Sequence, residues 1–81
     1  MQVLKFHASW CAPCKMLSKV IEDAKVKTKI VSIDIDADNI QAQKYGVRGV
    51  PMLIMTDSGG NEIKRKSGMM SEAQLKEFLG E

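Results

Sequence analysis

The chain has 81 residues, 44% of them hydrophobic and 27% charged, with a formal net charge of +2. A chain of this size buries one core, so residues 1–81 are read as a single domain, and the composition excludes a disordered or fibrous protein. So small a charge gives no reason to expect a nucleic-acid partner, no apolar run approaches the roughly 18 residues of a membrane span, and no signal-peptide core precedes the first turn; a cytoplasmic location without a membrane partner is expected.

Gln2–His7 reads as a first strand, with Val3, Leu4 and Phe6 as its apolar members. Residues 8–14 break that pattern, and a helix follows. Met16, Leu17, Val20, Ile21 and Ala24 recur on one helical face, while Lys15, Lys19, Glu22 and Asp23 fall mostly on the other. Pro13 is tolerated near the helix start because first-turn N–H groups have no intrahelical partner. The basic stretch Lys25-Val26-Lys27-Thr28-Lys29 reads as a solvated helix end. Residues 30–35 form a second strand, where Val31, Ile33 and Ile35 alternate with Ser32, Asp34 and Asp36. Asp38 is placed to cap a short helix over roughly 39–45 that ends at Gly46. The continuous apolar run Met52-Leu53-Ile54-Met55 is a buried central strand. Asp57-Ser58-Gly59-Gly60-Asn61 is a turn by composition. Glu62–Lys66 is a polar edge strand, and Ser71 caps a last helix with Leu75, Phe78 and Leu79 inward.

The order is βαβαββα. The first crossover makes strands one and two parallel, and the turn at 57–61 makes strands three and four a hairpin. The expected architecture is an α/β fold with a four-stranded mixed sheet, order 2-1-3-4, and helices on both faces.

Chemistry concentrates in Cys11-Ala12-Pro13-Cys14, which leaves a strand and opens a helix. The thiolate is the nucleophile, and the free N–H groups and partial positive charge of a helix N-terminus lower the pKa of a cysteine placed there. Cys11 is expected at or just before the first turn. Cys14, one turn on, is near enough to close a disulfide and is expected to be more enclosed. Cys11 would then attack a substrate disulfide and Cys14 would resolve the mixed disulfide. A structural disulfide across so short a loop adds little by chain entropy. A CxxC can also be half of a zinc or iron–sulfur site, but such sites take about four ligands. The only further cysteine or histidine here is His7, so a monomeric metal site is not expected; a metal shared between two chains stays open.

The segment Phe6-His7-Ala8-Ser9-Trp10-Cys11-Ala12-Pro13-Cys14-Lys15 resembles the WCGPCK active-site stretch of thioredoxins. Lys44-Tyr45-Gly46-Val47-Arg48-Gly49-Val50-Pro51 is similar to the family's segment ending in a cis-proline. Ser67-Gly68-Met69, with the following Ser71–Leu79, resembles its C-terminal glycine and helix. The likeness spans essentially the whole chain. It implies that Cys11 is the nucleophile and Cys14 the resolving thiol of a protein-disulfide reductase. It also implies that Val50-Pro51 is a cis peptide facing the sulfurs, where the backbone of Val50 can pair with an extended substrate. Trp10, Ala12, Pro13, Gly49, Val50, Pro51, Gly68 and Met69 would form the substrate-docking rim.

The chain departs from the family pattern in several places. It starts only a few residues before the strand leading to Cys11, whereas most thioredoxins carry a further N-terminal strand and helix, so a minimal version with a smaller, less stable core is expected. Lys5 stands where the family usually has a buried aspartate, and Ser32 where a lysine partner is common. Burial of a lysine is costly, so Lys5 is expected to snorkel to solvent; held near the sulfurs, it would instead stabilise a thiolate. Ala12 replaces the family's glycine. His7 stands where an aromatic residue is frequent and is expected to be a strand histidine with a local hydrogen bond.

The resemblance implies no bound cofactor beyond the redox-active Cys11–Cys14 pair, disulfide-containing protein substrates, and an NADPH-dependent thioredoxin reductase as electron donor. A glutaredoxin-like enzyme would use glutathione instead. Trp10 and Lys15 flanking the two cysteines follow the thioredoxin pattern, and Ser67–Ser71 lacks the glycine pair and acidic helix start that hold glutathione. A non-enzymatic binding subunit is the alternative from another class. Nothing in the sequence suggests an obligate dimer, and a monomer is expected.

Overall fold

The computed structural model describes all residues, Met1–Glu81. Its elements in chain order are β1 (Gln2–His7), α1 (Ala12–Ala24), β2 (Ile30–Asp34), α2 (Asn39–Lys44), β3 (Met52–Thr56), β4 (Glu62–Ser67) and α3 (Glu72–Leu79). The sheet order is β2-β1-β3-β4, with β1 parallel to β2 and antiparallel to β3, and β3 antiparallel to β4. This is the architecture expected from the sequence.

Alternation along β1 divides the core. Val3 faces a cluster with Leu17 and Ala24 of α1, Leu53 and Met55 of β3, and Leu75, Phe78 and Leu79 of α3. Leu4 and Phe6 face the opposite side, with Ile54 of β3 and Ala42 of α2. Thus α1 and α3 cover one face and α2 the other. Being central, β1 and β3 are buried on both faces, whereas β4 turns Lys64 and Arg65 to solvent along a sheet edge.

The local signals act as their chemistry dictates. Asp38 caps α2 by accepting the Gln41 N–H at 3.2 Å. Ser71 and Gln74 form a reciprocal capping box at the start of α3. Asp57 accepts the N–H groups of Gly59 and Asn61, each at 2.9 Å, and so shapes the β3–β4 turn. β2 stops at Asp34, one residue before its expected end, because the Asp34 carboxylate accepts the Asp36 N–H at 2.9 Å and turns the chain.

Met16 departs from the expected inner face of α1 and is 59% exposed. The buried positions are Cys14, Leu17 and Ala24, and Met16 lies about 100° round the helix from Leu17. The basic segment after α1 is also more than a solvated end. The Glu81 carboxylate accepts the Lys27 and Thr28 N–H groups, each at 2.8 Å, and the Thr28 hydroxyl at 2.6 Å. Gly80 takes φ +75, a left-handed conformation that suits glycine, and directs Glu81 back toward the α1–β2 connection.

Leu53 is wholly buried at the centre of the sheet, so Leu53→Ala should lower stability by about 3 kcal/mol in denaturant unfolding. The hydrogen bonds from Lys27 and Thr28 hold the Glu81 carboxyl below its usual 4.5. The unfolded state therefore binds the proton more tightly, and the clasp's contribution is complete above pH 4.5 and lost as pH falls through the folded-state value. The stability difference between the parent chain and Glu81→Gln should accordingly be present at neutral pH and vanish in acid, as followed by urea unfolding across that range.

Candidate active site

β1 and β2 are parallel, so their C-terminal ends lie at one edge of the sheet, where the chain leaving β1 turns through Ala8 into α1. The Cys11 N–H donates to the Ala8 carbonyl at 3.2 Å, and Ala8, Cys11 and Cys14 form a small buried cluster against Ile35 and Val50. Cys11 is the N-cap of α1, in extended conformation, as expected from its position. Its Sγ accepts the Cys14 N–H at 3.2 Å. This is the geometry in which a helix N-terminus stabilises negative charge on sulfur.

Cys11 and Cys14 are joined by a disulfide, with their Cα atoms 5.3 Å apart. Enclosure does not separate the two residues as expected: Cys11 is 4% exposed and Cys14 2%. The difference between them is positional. Cys11 caps the helix and lies 3.7 Å from the Val50 carbonyl oxygen, whereas Cys14 is inside the first turn.

The Val50–Pro51 bond is cis. Pro51 is buried and its carbonyl accepts the Gly68 N–H at 2.9 Å, which ties the end of β4 to the site. Gly68 adopts φ +85, and only glycine takes this conformation without strain. Of the expected rim residues, Trp10, Ala12, Pro13, Gly49 and Met69 are exposed, and Val50 and Gly68 are half-buried. Met70, next to the exposed Met69, belongs to the core.

Trp10 is 68% exposed but not free. Its indole N–H donates to Asp36 Oδ2 at 2.9 Å. Asp36 is not singled out by the sequence reading. The available signal is topological: the segments leaving two adjacent parallel strands meet at the same sheet edge. His7 is half-buried, and its imidazole makes no hydrogen bond to another group of the chain, contrary to expectation; it is the backbone carbonyl that accepts, from Ile35 at 2.9 Å.

Lys5 overturns a second expectation. It is only 8% exposed, and its Nζ donates to Ser18 Oγ at 2.5 Å, so the side chain does not snorkel to solvent. The strand directs it beneath α1, where the serine hydroxyl is its hydrogen-bond partner. Burial pushes its amine below the usual 10.5. Ser18 too escapes the sequence reading; its signal is a polar residue one turn after Cys14, next to buried Leu17.

The Thioredoxin family model matches residues 1–81, the whole chain. The thioredoxin of Pseudomonas aeruginosa is 37% identical over 95% of this chain and 74% of its own length. That of Bacillus subtilis is 36% identical over 91% and 74%. Among solved structures, a mutant thioredoxin from Halobacterium salinarum superposes with a TM-score of 0.83 at 35% identity, covering 95% of this chain and 69% of that one. Malassezia sympodialis thioredoxin gives 0.84 at 28% identity, covering 98% and 71%.

This chain belongs to the thioredoxin family. Thioredoxins are protein-disulfide oxidoreductases that need no bound cofactor, and this member has its paired cysteines closed as a disulfide at the head of α1. It is a thiol–disulfide oxidoreductase that acts on disulfide-containing proteins. No helix is long and apolar enough to cross a membrane.

The Trp10–Asp36 bond holds the sole tryptophan beside the first cysteine, which makes it directly observable. Asp36→Ala should release the indole and lower its fluorescence anisotropy. Turnover on a protein disulfide should fall by less than about tenfold, because a partly solvated hydrogen bond to a charged acceptor contributes little more than about 1.5 kcal/mol.

Proposed function

We propose that Cys11 is the attacking thiol and Cys14 the resolving thiol of a reductant of protein disulfides. The observation that carries this reading is the cap of α1, where Cys11 Sγ accepts the Cys14 N–H and lies against the Val50 carbonyl beside the cis-proline. In the reduced protein the same N–H would stabilise a Cys11 thiolate. That thiolate attacks one sulfur of the substrate disulfide, forms a mixed disulfide and releases the other sulfur as a thiolate. Cys14, after losing its proton to solvent, attacks Cys11 Sγ. The Cys11–Cys14 bond forms, the bond from Cys11 to substrate breaks, and the substrate's second thiolate leaves. The substrate gains the two electrons that the dithiol gives up.

Trp10, Ala12, Pro13, Gly49, Val50, Pro51, Gly68 and Met69 form the substrate face, with Val50 offering backbone groups to an extended segment. Residues 1–81 act as one domain and as a monomer, in the cytoplasm. An NADPH-dependent flavoprotein of the thioredoxin reductase class returns the disulfide to the dithiol.

The test is insulin disulfide reduction with two donors in parallel: NADPH with thioredoxin reductase, and glutathione with glutathione reductase. Turnover is expected in the first arm. Turnover only in the second would replace the donor assignment by a glutaredoxin-like one. Cys11→Ser should reduce turnover to the uncatalysed background, and Cys14→Ser should accumulate the mixed disulfide, visible by mass spectrometry. Silence of the parent chain in both arms and with dithiothreitol would favour a binding module.

A further inference from the structure

Lys5 is the only charged side chain buried in this protein. A buried lysine is costly to the fold, and nothing in the α1-side core needs one: its neighbours across the sheet are Ser32 on β2 and Leu53 on β3. No carboxylate pairs with it; its hydrogen bond goes to the Ser18 hydroxyl. Ser18 lies four residues after Cys14 on α1, so the two share a helical face one turn, about 5.4 Å, apart. Helical side chains lean toward the N-terminus, which tilts Ser18 toward the turn that holds Cys14. The buried amine is therefore tied to α1 one turn after Cys14, a residue that is itself only 2% exposed.

We propose that Lys5, anchored through Ser18, is a positioning residue that favours the thiolate form of Cys14 during resolution of the mixed disulfide. It rests on the assignment of Cys14 as the resolving thiol. A thiolate in so enclosed a place loses most of its solvation, and without a compensating charge Cys14 would hold its proton. The ammonium supplies that charge. The relation is reciprocal: desolvation pushes the Lys5 amine down while Cys14 is neutral, and a thiolate at Cys14 pushes it back up. The proton leaves Cys14 for solvent, so no base is required at the site.

The other ionisable groups on this face of the sheet are His7, two residues further on β1, Asp34 opposite His7 on β2, and on β4 Lys66 and Lys64, the latter over the Phe78 ring of α3. α1 turns Lys15, Lys19, Glu22 and Asp23 to solvent, and on α3 Glu77 is exposed and Lys76 pairs with Glu72 at 3.4 Å. Cys11 is the remaining group. His7 and Asp34 are thus the only nearby residues whose own titration could imitate the effect.

The experiment uses the reduced full chain with both cysteines labelled at Cβ with carbon-13, titrated by NMR as parent, Lys5→Met and Ser18→Ala. The Cys14 midpoint should rise by about one pH unit or more in Lys5→Met and by less in Ser18→Ala, with Cys11 moving less than Cys14 in both. The same variants react with an aromatic disulfide that releases one coloured thiolate when Cys11 attacks and a second when Cys14 resolves. The second release should slow about tenfold at neutral pH in Lys5→Met, and the first should stay within about threefold. Both measurements are repeated in a His7→Gln background, where the shift should persist. An unmoved Cys14 midpoint with an unchanged second release overturns the proposal, and so does loss of the shift in His7→Gln. If Lys5→Met does not fold, Ser18→Ala decides by the same readings. Should Cys14→Ser still give the second release at the parental rate, the resolving role itself fails, which is a separate outcome.

Discussion

The helix that carries the chemistry is capped by sulfur. Where a serine or aspartate oxygen would ordinarily accept a free N–H of the first turn, Cys11 Sγ accepts that of Cys14, and a sulfur of the redox pair becomes part of the secondary structure. The rest of the molecule serves this arrangement. β1 is held between β2 and β3 and buried on both faces, so its end is fixed in space. Ala8 turns the chain, its carbonyl receives the Cys11 N–H, and the Val50 carbonyl closes the other side of the sulfur.

The same central strand couples the site to the core. Val3 and Lys5 share one face of β1, and the change from an apolar to a charged side chain comes where Ser18 of α1 can take the amine's hydrogen bond. The core is small, and the two larger of its clusters are built on β1 and β3. A lysine placed there uses a position that another hydrophobic residue could have filled. Its burial opposes folding, and under the role proposed for Lys5 the charge lent to Cys14 is the chemical return for that cost. Serine is a suitable anchor because it accepts the ammonium's hydrogen bond without neutralising it. A carboxylate in its place would have made an ion pair and cancelled the field at the sulfur.

Nearly all of the fold was legible in the chain. Strand order, the parallel first pair, the caps at Asp38 and Ser71 and the polar edge at β4 all follow from patterns of a few residues. The cysteine pair was legible for the same reason, since strand, turn and helix start are contiguous. What escaped depends on contacts between distant residues. Trp10 meets Asp36 because two parallel strands end together, and Glu81 reaches Lys27 and Thr28 because α1 and α3 lie side by side. Lysine ordinarily snorkels, and no local pattern reveals that a serine on another element accepts the Lys5 amine. Met16 differs for another reason: on a helix covered by the sheet along one narrow stripe, the residue just beside the stripe is already in water.

Size explains why polar tethers cluster at the ends of elements. An 81-residue chain buries a smaller fraction of its surface than a larger domain does, so its connections receive less help from the core. Side-chain bonds take up part of that role. Glu81 clasps the α1–β2 connection, Tyr45 donates to the Gly60 carbonyl at 2.7 Å, and Arg65 reaches back to the Tyr45 carbonyl at 2.6 Å. These tethers lie on the connections and the outer strand, and the active-site edge is held chiefly by backbone: Cys11 to Ala8, Gly68 to Pro51, Ile35 to His7. That division leaves the exposed side chains of Ala12, Pro13 and Met69 free of structural duty, as the proposed substrate face requires, while backbone bonds hold the cysteine pair in place beside them.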